Sequence, residues 1–254
     1  MTMAAGFVCR DGLVIAADRQ FTSDFHTYQE CKLRELHWNN GLAIWGYSGS
    51  PDTARRVNDE LVKRFNRDTT VIRADIERTL ASALKDASIE KKEFWAILFG
   101  AWTEMEEPIL FSSSATKVLI VPRCEVIGWG DSPLARYLRG LYLRMGQLSV
   151  WQTSVLGMYF VLQGKTYDGK YVGGPTDVFI IDKNRKRREI AIANSRVWET
   201  ALEAMDQQIA SLFSVFTDAD VLHDARHQAL SDFLSETEMF AAQVRALKVK
   251  EDVA

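Results

Sequence analysis

Thr2 is the residue whose type and place could do the most chemistry. Met1 stands before a small residue and is removed in ordinary processing. The chain would then begin with a threonine carrying both a hydroxyl and a free α-amine. An α-amine titrates at about 7.7–8.0, far below a lysine. It is therefore neutral near pH 7 and can take the hydroxyl proton, which turns the threonine oxygen into a nucleophile for acyl transfer. Two other patterns carry less. His223 and His227 lie four apart on a predicted helix, the spacing of a metal-binding pair, but no glutamate stands between them in the run His223-Asp224-Ala225-Arg226-His227. They read as a solvated helix face. The basic run Lys183-Asn184-Arg185-Lys186-Arg187-Arg188 could meet phosphate and reads as a charged hairpin turn.

The elements that must position Thr2 begin at once. Residues 1–18 read as two strands joined at Arg10-Asp11-Gly12, because Asp-Gly between apolar, β-branched runs is a hairpin signal. Residues 19–30 are polar and suit a loop or irregular hairpin. Strands are predicted at 32–36 and 42–47, around the turn His37-Trp38-Asn39-Asn40-Gly41. Ser50-Pro51-Asp52 then starts a helix with Ala54, Val57, Leu61, Val62 and Phe65 at helical spacing. A second helix is predicted at 71–86, and strands at 94–102, 108–113, 117–121 and 125–128. Helices follow at 133–145 and 150–162, strands at 177–181 and 190–193, and helices at 195–213 and 218–247. Strand groups alternating with paired helices suit two sheets packed face to face with helices outside. Periodicity alone gives α+β.

Composition sets limits on function. The chain has 254 residues, enough for one sizeable core, so a single domain with a C-terminal helical extension over 195–254 is expected. A net charge of −3 argues against nucleic acid or a membrane surface as partner. Cys9, Cys31 and Cys124 form no Cys-x-x-Cys pair, which suits a reducing compartment. No signal peptide or spanning segment is read, so a cytoplasmic location is expected.

Thr2, Gly12 and Ala16-Ala17-Asp18 together resemble the opening of a proteasome β-type subunit, an N-terminal-nucleophile (Ntn) hydrolase. The resemblance continues through Cys31-Lys32-Leu33-Arg34-Glu35-Leu36, Ser48-Gly49-Ser50-Pro51-Asp52, and Asp168 followed by Gly173-Gly174. It covers about residues 2–190 and implies a four-layer αββα sandwich. It also implies roles. Lys32 would ease deprotonation at Thr2 by its charge, and Asp18 would pair with Lys32. Gly49 would give its N–H to the oxyanion. Tyr47 would shape the substrate pocket or be strand core. The backbone at Thr22 would pair with an extended substrate by strand addition. Asp168 would join the catalytic group.

The sequence departs from that family in places. Trp129 and Val172 stand where serines that relay protons are usual, and Ser132 is a candidate substitute for the first. Gln20 replaces the usual arginine. Such departures suit a divergent bacterial member.

The function implied is that of an N-terminal threonine peptidase with peptide or unfolded protein as substrate. A homo-oligomeric ring and an ATPase are the implied partners, with no cofactor and no metal. An amidase acting on a small amide, or a silent structural ring subunit, are the alternatives.

Overall fold

The computed structural model describes residues 2–22, 26–87, 95–104, 106–128, 133–218 and 222–253. The Asp-Gly turn does what its sequence predicts. It joins β1 (Met3–Cys9) to β2 (Gly12–Asp18), antiparallel, with Ala4 opposite Ala17 and Phe7 opposite Val14. β3 (Gln20–Thr22) and β4 (Thr27–Gln29) make a small separate hairpin out of the polar stretch. β5 (Leu33–Trp38) and β6 (Gly41–Ser48) follow. Ser50 then caps α1 (Pro51–Arg64), its hydroxyl accepting from the N–H of Asp52 at 3.2 Å. α2 (Arg73–Asp86) precedes four strands: β7 (Ala96–Thr103), β8 (Ile109–Ser114), β9 (Lys117–Val121) and β10 (Cys124–Gly128). α3 (Pro133–Arg144) and α4 (Val150–Asp168) come next, then β11 (Thr176–Ile181) and β12 (Arg187–Glu189).

The strands form two five-stranded antiparallel sheets. One runs β10-β1-β2-β11-β12 and the other β5-β6-β7-β8-β9. Leu13, Ile15, Ile44, Leu98, Leu110 and Phe179 lie buried between them. On its outer face the second sheet buries Trp45, Phe99 and Phe111 with Val57 and Leu61 of α1 and Leu80 of α2. On its outer face the first sheet sets Phe7 edge-on to Tyr142 of α3 and Phe160 of α4, at 5.0 and 5.4 Å between ring centroids. The layers are therefore helix, sheet, sheet, helix: a four-layer αββα sandwich. Both faces of β2 are covered, which is why Leu-Val-Ile-Ala-Ala shows no polar alternation and is buried throughout.

Three elements differ from expectation. α4 runs on to Asp168 because Gly164, in its middle, presses against Met3 rather than breaking the helix. The return strand is β12, not 190–193. Asp182 tightens the turn by accepting from the N–H groups of Asn184 and Lys186, so pairing resumes at Arg187, opposite Ile181. Lys32 stands just before β5 rather than inside it.

The chain divides into two compact units, Met1–Ile192 with the sandwich and Ala193–Ala254. The second unit holds α5 (Ile192–Thr217) almost entire and α6 (His223–Val253). Within it Ile209, Leu212, Phe213, Phe216 and Leu230 line an apolar groove. No helix of the described residues is long and apolar enough to cross a membrane.

Candidate active site

Thr2 precedes β1 and is 2% exposed. The first N–H of the strand, that of Met3, donates to Oδ1 of Asp18 at 3.0 Å. The antiparallel register sets this contact, since β2 ends at Asp18 where β1 begins. The same oxygen accepts from Nζ of Lys32 at 2.8 Å. The other carboxylate oxygen accepts from the N–H of Gln20 at 3.0 Å and of Gly173 at 3.2 Å. Four donors thus surround one carboxylate, and neither Asp18 nor Lys32 is exposed at all.

Lys32 is held from three sides. Its ammonium donates to Asp18 and to the Gln20 carbonyl, and lies 4.6 Å from the ring centre of Phe21. Burial pulls its pKa below the ordinary lysine range, while the charge and hydrogen bond of Asp18 and the charge of Asp177 work against that fall. A single carboxylate oxygen separates this ammonium from the Thr2–Met3 peptide group. In a buried site such a charge acts more strongly than it would in solvent.

The turn after α4 closes the site. The carbonyl of Asp168 accepts from the N–H groups of Tyr171 and Val172, at 2.9 and 3.0 Å, and the chain folds back. Gly173 then gives its N–H to Asp18 and takes those of Arg19 and Gln20 on its carbonyl, both at 3.1 Å. A Cβ on Gly173 would meet the end of the Gln20 side chain, which would have to move. The Asp168 carboxylate itself is hydrogen-bonded to none of Thr2, Asp18 or Lys32 among the described residues.

Gly49, with φ +140°, follows β6 and leads into the Ser50 cap. Ser48 before it is fully buried and lies close to Gly128. Gly128 has φ +81° and its Cα faces the Thr2 carbonyl oxygen so closely that a Cβ would overlap it. Tyr47 lies on the outer face of the second sheet, stacked on Trp95 at 5.3 Å and tilted against Phe21 at 6.1 Å. Burial pushes its phenol pKa up. It touches the site through Phe21, the ring that carries Lys32. Thr22 ends β3, and its hydroxyl donates to the Lys170 carbonyl at 3.2 Å. Ser132 and Trp129 lie outside the described residues.

No protein-family profile matches the sequence, and no curated protein sequence does either. Solved structures do match. Anbu (Gly-1) mutant from Hyphomicrobium sp. strain MC1 superposes with a TM-score of 0.72 at 19% identity, over 87% of this chain and 100% of that one. Anbu, the ancestral beta-subunit, from Yersinia bercovieri gives 0.69 at 13% identity, again over 87% and 100%. The helical assembly of the Anbu complex from Pseudomonas aeruginosa gives 0.63 at 15%, over 81% and 96%. The fold is that of the Anbu chains. It is a four-layer αββα sandwich.

Against that fold, four residues of this pocket stand out that motif reading did not assign. Gln20 gives Lys32 its carbonyl and donates its side-chain N–H to the Lys170 carbonyl at 2.9 Å. Phe21 holds the ammonium by its ring. Asp177 lies buried 3.4 Å from Nε of Arg19, and burial pushes its carboxyl pKa up. Ser48 is the fourth, and it had a signal: it is a hydroxyl on the strand face that Leu42 and Ile44 make apolar. Beside the pocket, burial pushes the Cys31 thiol up to about 12, so it is a poor nucleophile. Among the described residues no group of three or more His, Cys, Asp and Glu could hold a metal ion. His223 and His227 stand 4.4 Å apart by ring centroid on α6.

Proposed function

We propose that this chain is an N-terminal threonine peptidase of proteasome type, active once Met1 is removed. The observation that carries the reading is the Asp18 oxygen shared by the Met3 N–H and the buried Lys32 ammonium. Few structural needs call for a lysine with no exposure, since the desolvation it suffers is large. Beside a threonine N-terminus it has a use.

The α-amine of Thr2 takes the proton from Thr2 Oγ, and Oγ attacks the carbonyl carbon of the peptide bond. The Lys32 charge lowers the cost of that transfer. The Gly49 N–H supports the oxyanion, a donor of a kind worth about 3 kcal/mol in the transition state. The C–N bond breaks as the amine passes its proton to the leaving nitrogen, and Thr2 is left as an ester. Water, with the same amine as base, then frees the acid and restores Thr2. The substrate is an extended peptide or unfolded protein lying along β3 at Thr22. The Pseudomonas aeruginosa Anbu complex forms a helical assembly. By that analogy copies of this chain assemble with one another, and an ATPase that feeds unfolded chains is a fitting partner.

A silent structural subunit is the second reading. The burial of Tyr47 in the core favours it. Turnover of unstructured fluorogenic peptides decides between the two. The peptidase reading expects cleavage by protein that has lost Met1 and none by Thr2→Ala. Processed wild-type protein that cleaves nothing across a varied peptide set would leave the structural reading.

A further inference from the structure

Ser48 is the last residue of β6. Leu42 and Ile44 precede it on the face between the sheets, while Tyr47, Trp45 and Ala43 point to the helices. Ser48 has no exposure, and its hydroxyl has no hydrogen-bond partner among the described residues. Burying a hydroxyl unpaired is costly. Alanine would fit the same face without that cost.

Gly128 shows where the hydroxyl points. A Cβ built there would strike the Thr2 carbonyl oxygen and come within 2.8 Å of Ser48 Oγ. The Thr2 carbonyl oxygen and Ser48 Oγ therefore flank one point, with Thr2 leading into the first sheet and Ser48 ending a strand of the second. An amine that serves as base must aim its lone pair at Thr2 Oγ, so its N–H bonds need an acceptor elsewhere. The Asp18 oxygens are engaged by four donors. A serine hydroxyl has two lone pairs, and those of Ser48 are unspent.

We infer that Ser48 Oγ accepts a hydrogen bond from the processed α-amine of Thr2 and so fixes the direction of its lone pair. This rests on the peptidase reading. Ser48 forms and breaks no covalent bond, and the proton still travels from Thr2 Oγ to the amine and on to the leaving nitrogen. It is a positioning residue.

The consequences separate it from a packing role. Ser48→Ala removes the acceptor, and misplacing a reacting group by about 1 Å can cost on the order of 100-fold. The loss should fall on kcat, with KM within about twofold. An acceptor favours the charged amine over the neutral one, so the variant amine should have a lower pKa. The acid limb of kcat against pH should then move to lower pH. The melting temperature should change little, because one hydrogen bond makes only a small net contribution to stability. Ser113→Ala is the control. Ser113 is a second buried hydroxyl without a partner among the described residues, and it pairs with Ile97 on the helix-facing side of the same sheet. It should leave kcat and its pH profile unchanged.

The experiment is steady-state peptide cleavage from pH 5 to 10 by processed wild type, Ser48→Ala and Ser113→Ala, with melting curves. A lower kcat and a shifted acid limb in Ser48→Ala alone support the inference. Wild-type kcat and profile in Ser48→Ala overturn it and leave the peptidase reading standing. A slow Ser48→Ala enzyme with an unmoved limb and a lowered melting temperature also overturns it. A processed wild type without turnover overturns the peptidase reading and this inference together.

Discussion

The two ends of the first sheet use carboxylates in opposite ways. At the end where β1 turns into β2, Asp11 accepts from the Val150 N–H at 2.8 Å, and Asp182 accepts from Asn184, Lys186 and Nε of Arg188. The partners of Asp182 lie two, four and six residues away, and the turn is at the surface. At the Thr2 end, Asp18 gathers donors from 2, 14, 15 and 155 residues away, in a place with no solvent. A local turn carboxylate shapes a few residues. Asp18 joins four segments of chain and holds a charge beside the N-terminus. The same side chain answers to its own turn at one end and to distant segments at the other.

Asp18→Asn should have the largest effect. An amide cannot accept from all four donors, and Lys32 is left buried without its charge partner. Breaking a buried pair from one side typically costs about 3–5 kcal/mol. Urea unfolding should show that loss, with turnover down at least about 100-fold. A stability loss below about 1 kcal/mol would erase the contrast between the two ends.

Lys32→Met should come next. Asp18 keeps its three main-chain donors, so the stability loss should be smaller than for Asp18→Asn, while kcat falls about as far. The pH dependence sharpens this. Burial lowers the folded pKa of Lys32, so between that value and the ordinary lysine range the unfolded chain binds more protons. Stability of wild type relative to Lys32→Met should therefore rise with pH across that window. In the proposed mechanism the ammonium acts charged, so the alkaline limb of kcat should lie below the ordinary lysine range and should vanish in Lys32→Met. A limb that persists in the variant would assign it to another group.

Asp182→Ala should have the smallest effect. Loss of a turn acceptor should cost about 1 kcal/mol, and kcat should not change. A drop in kcat of tenfold or more would mean that the two ends of the sheet are coupled.

Local signals in the sequence located most of the fold. Asp-Gly placed the first hairpin, and Ser50-Pro51 the first helix. Less legible was anything that depends on distant partners. β12 shifted because Asp182 tightened its turn, and α4 lengthened because Gly164 met Met3 from another layer. Within the site, Asp18 and Lys32 carried a recognisable motif. Gln20 was marked only as a departure from it, and Phe21 and Asp177 not at all, because their part comes from a hairpin and a strand end that only folding brings beside Lys32. The Gly173 N–H was beyond reach for the same reason: a main-chain donor has no sequence signature.

The central claim is that Thr2 works with both its hydroxyl and its α-amine. A peptide epoxyketone tests it most directly, because a stable morpholine ring forms only when both groups bond to the inhibitor. Intact mass should first show the loss of Met1. Peptide mapping after treatment should then place the whole inhibitor mass on the N-terminal Thr2 peptide, and the adduct should be absent in Thr2→Ala. Processed protein that stays unmodified, or that carries the inhibitor elsewhere, would contradict the account.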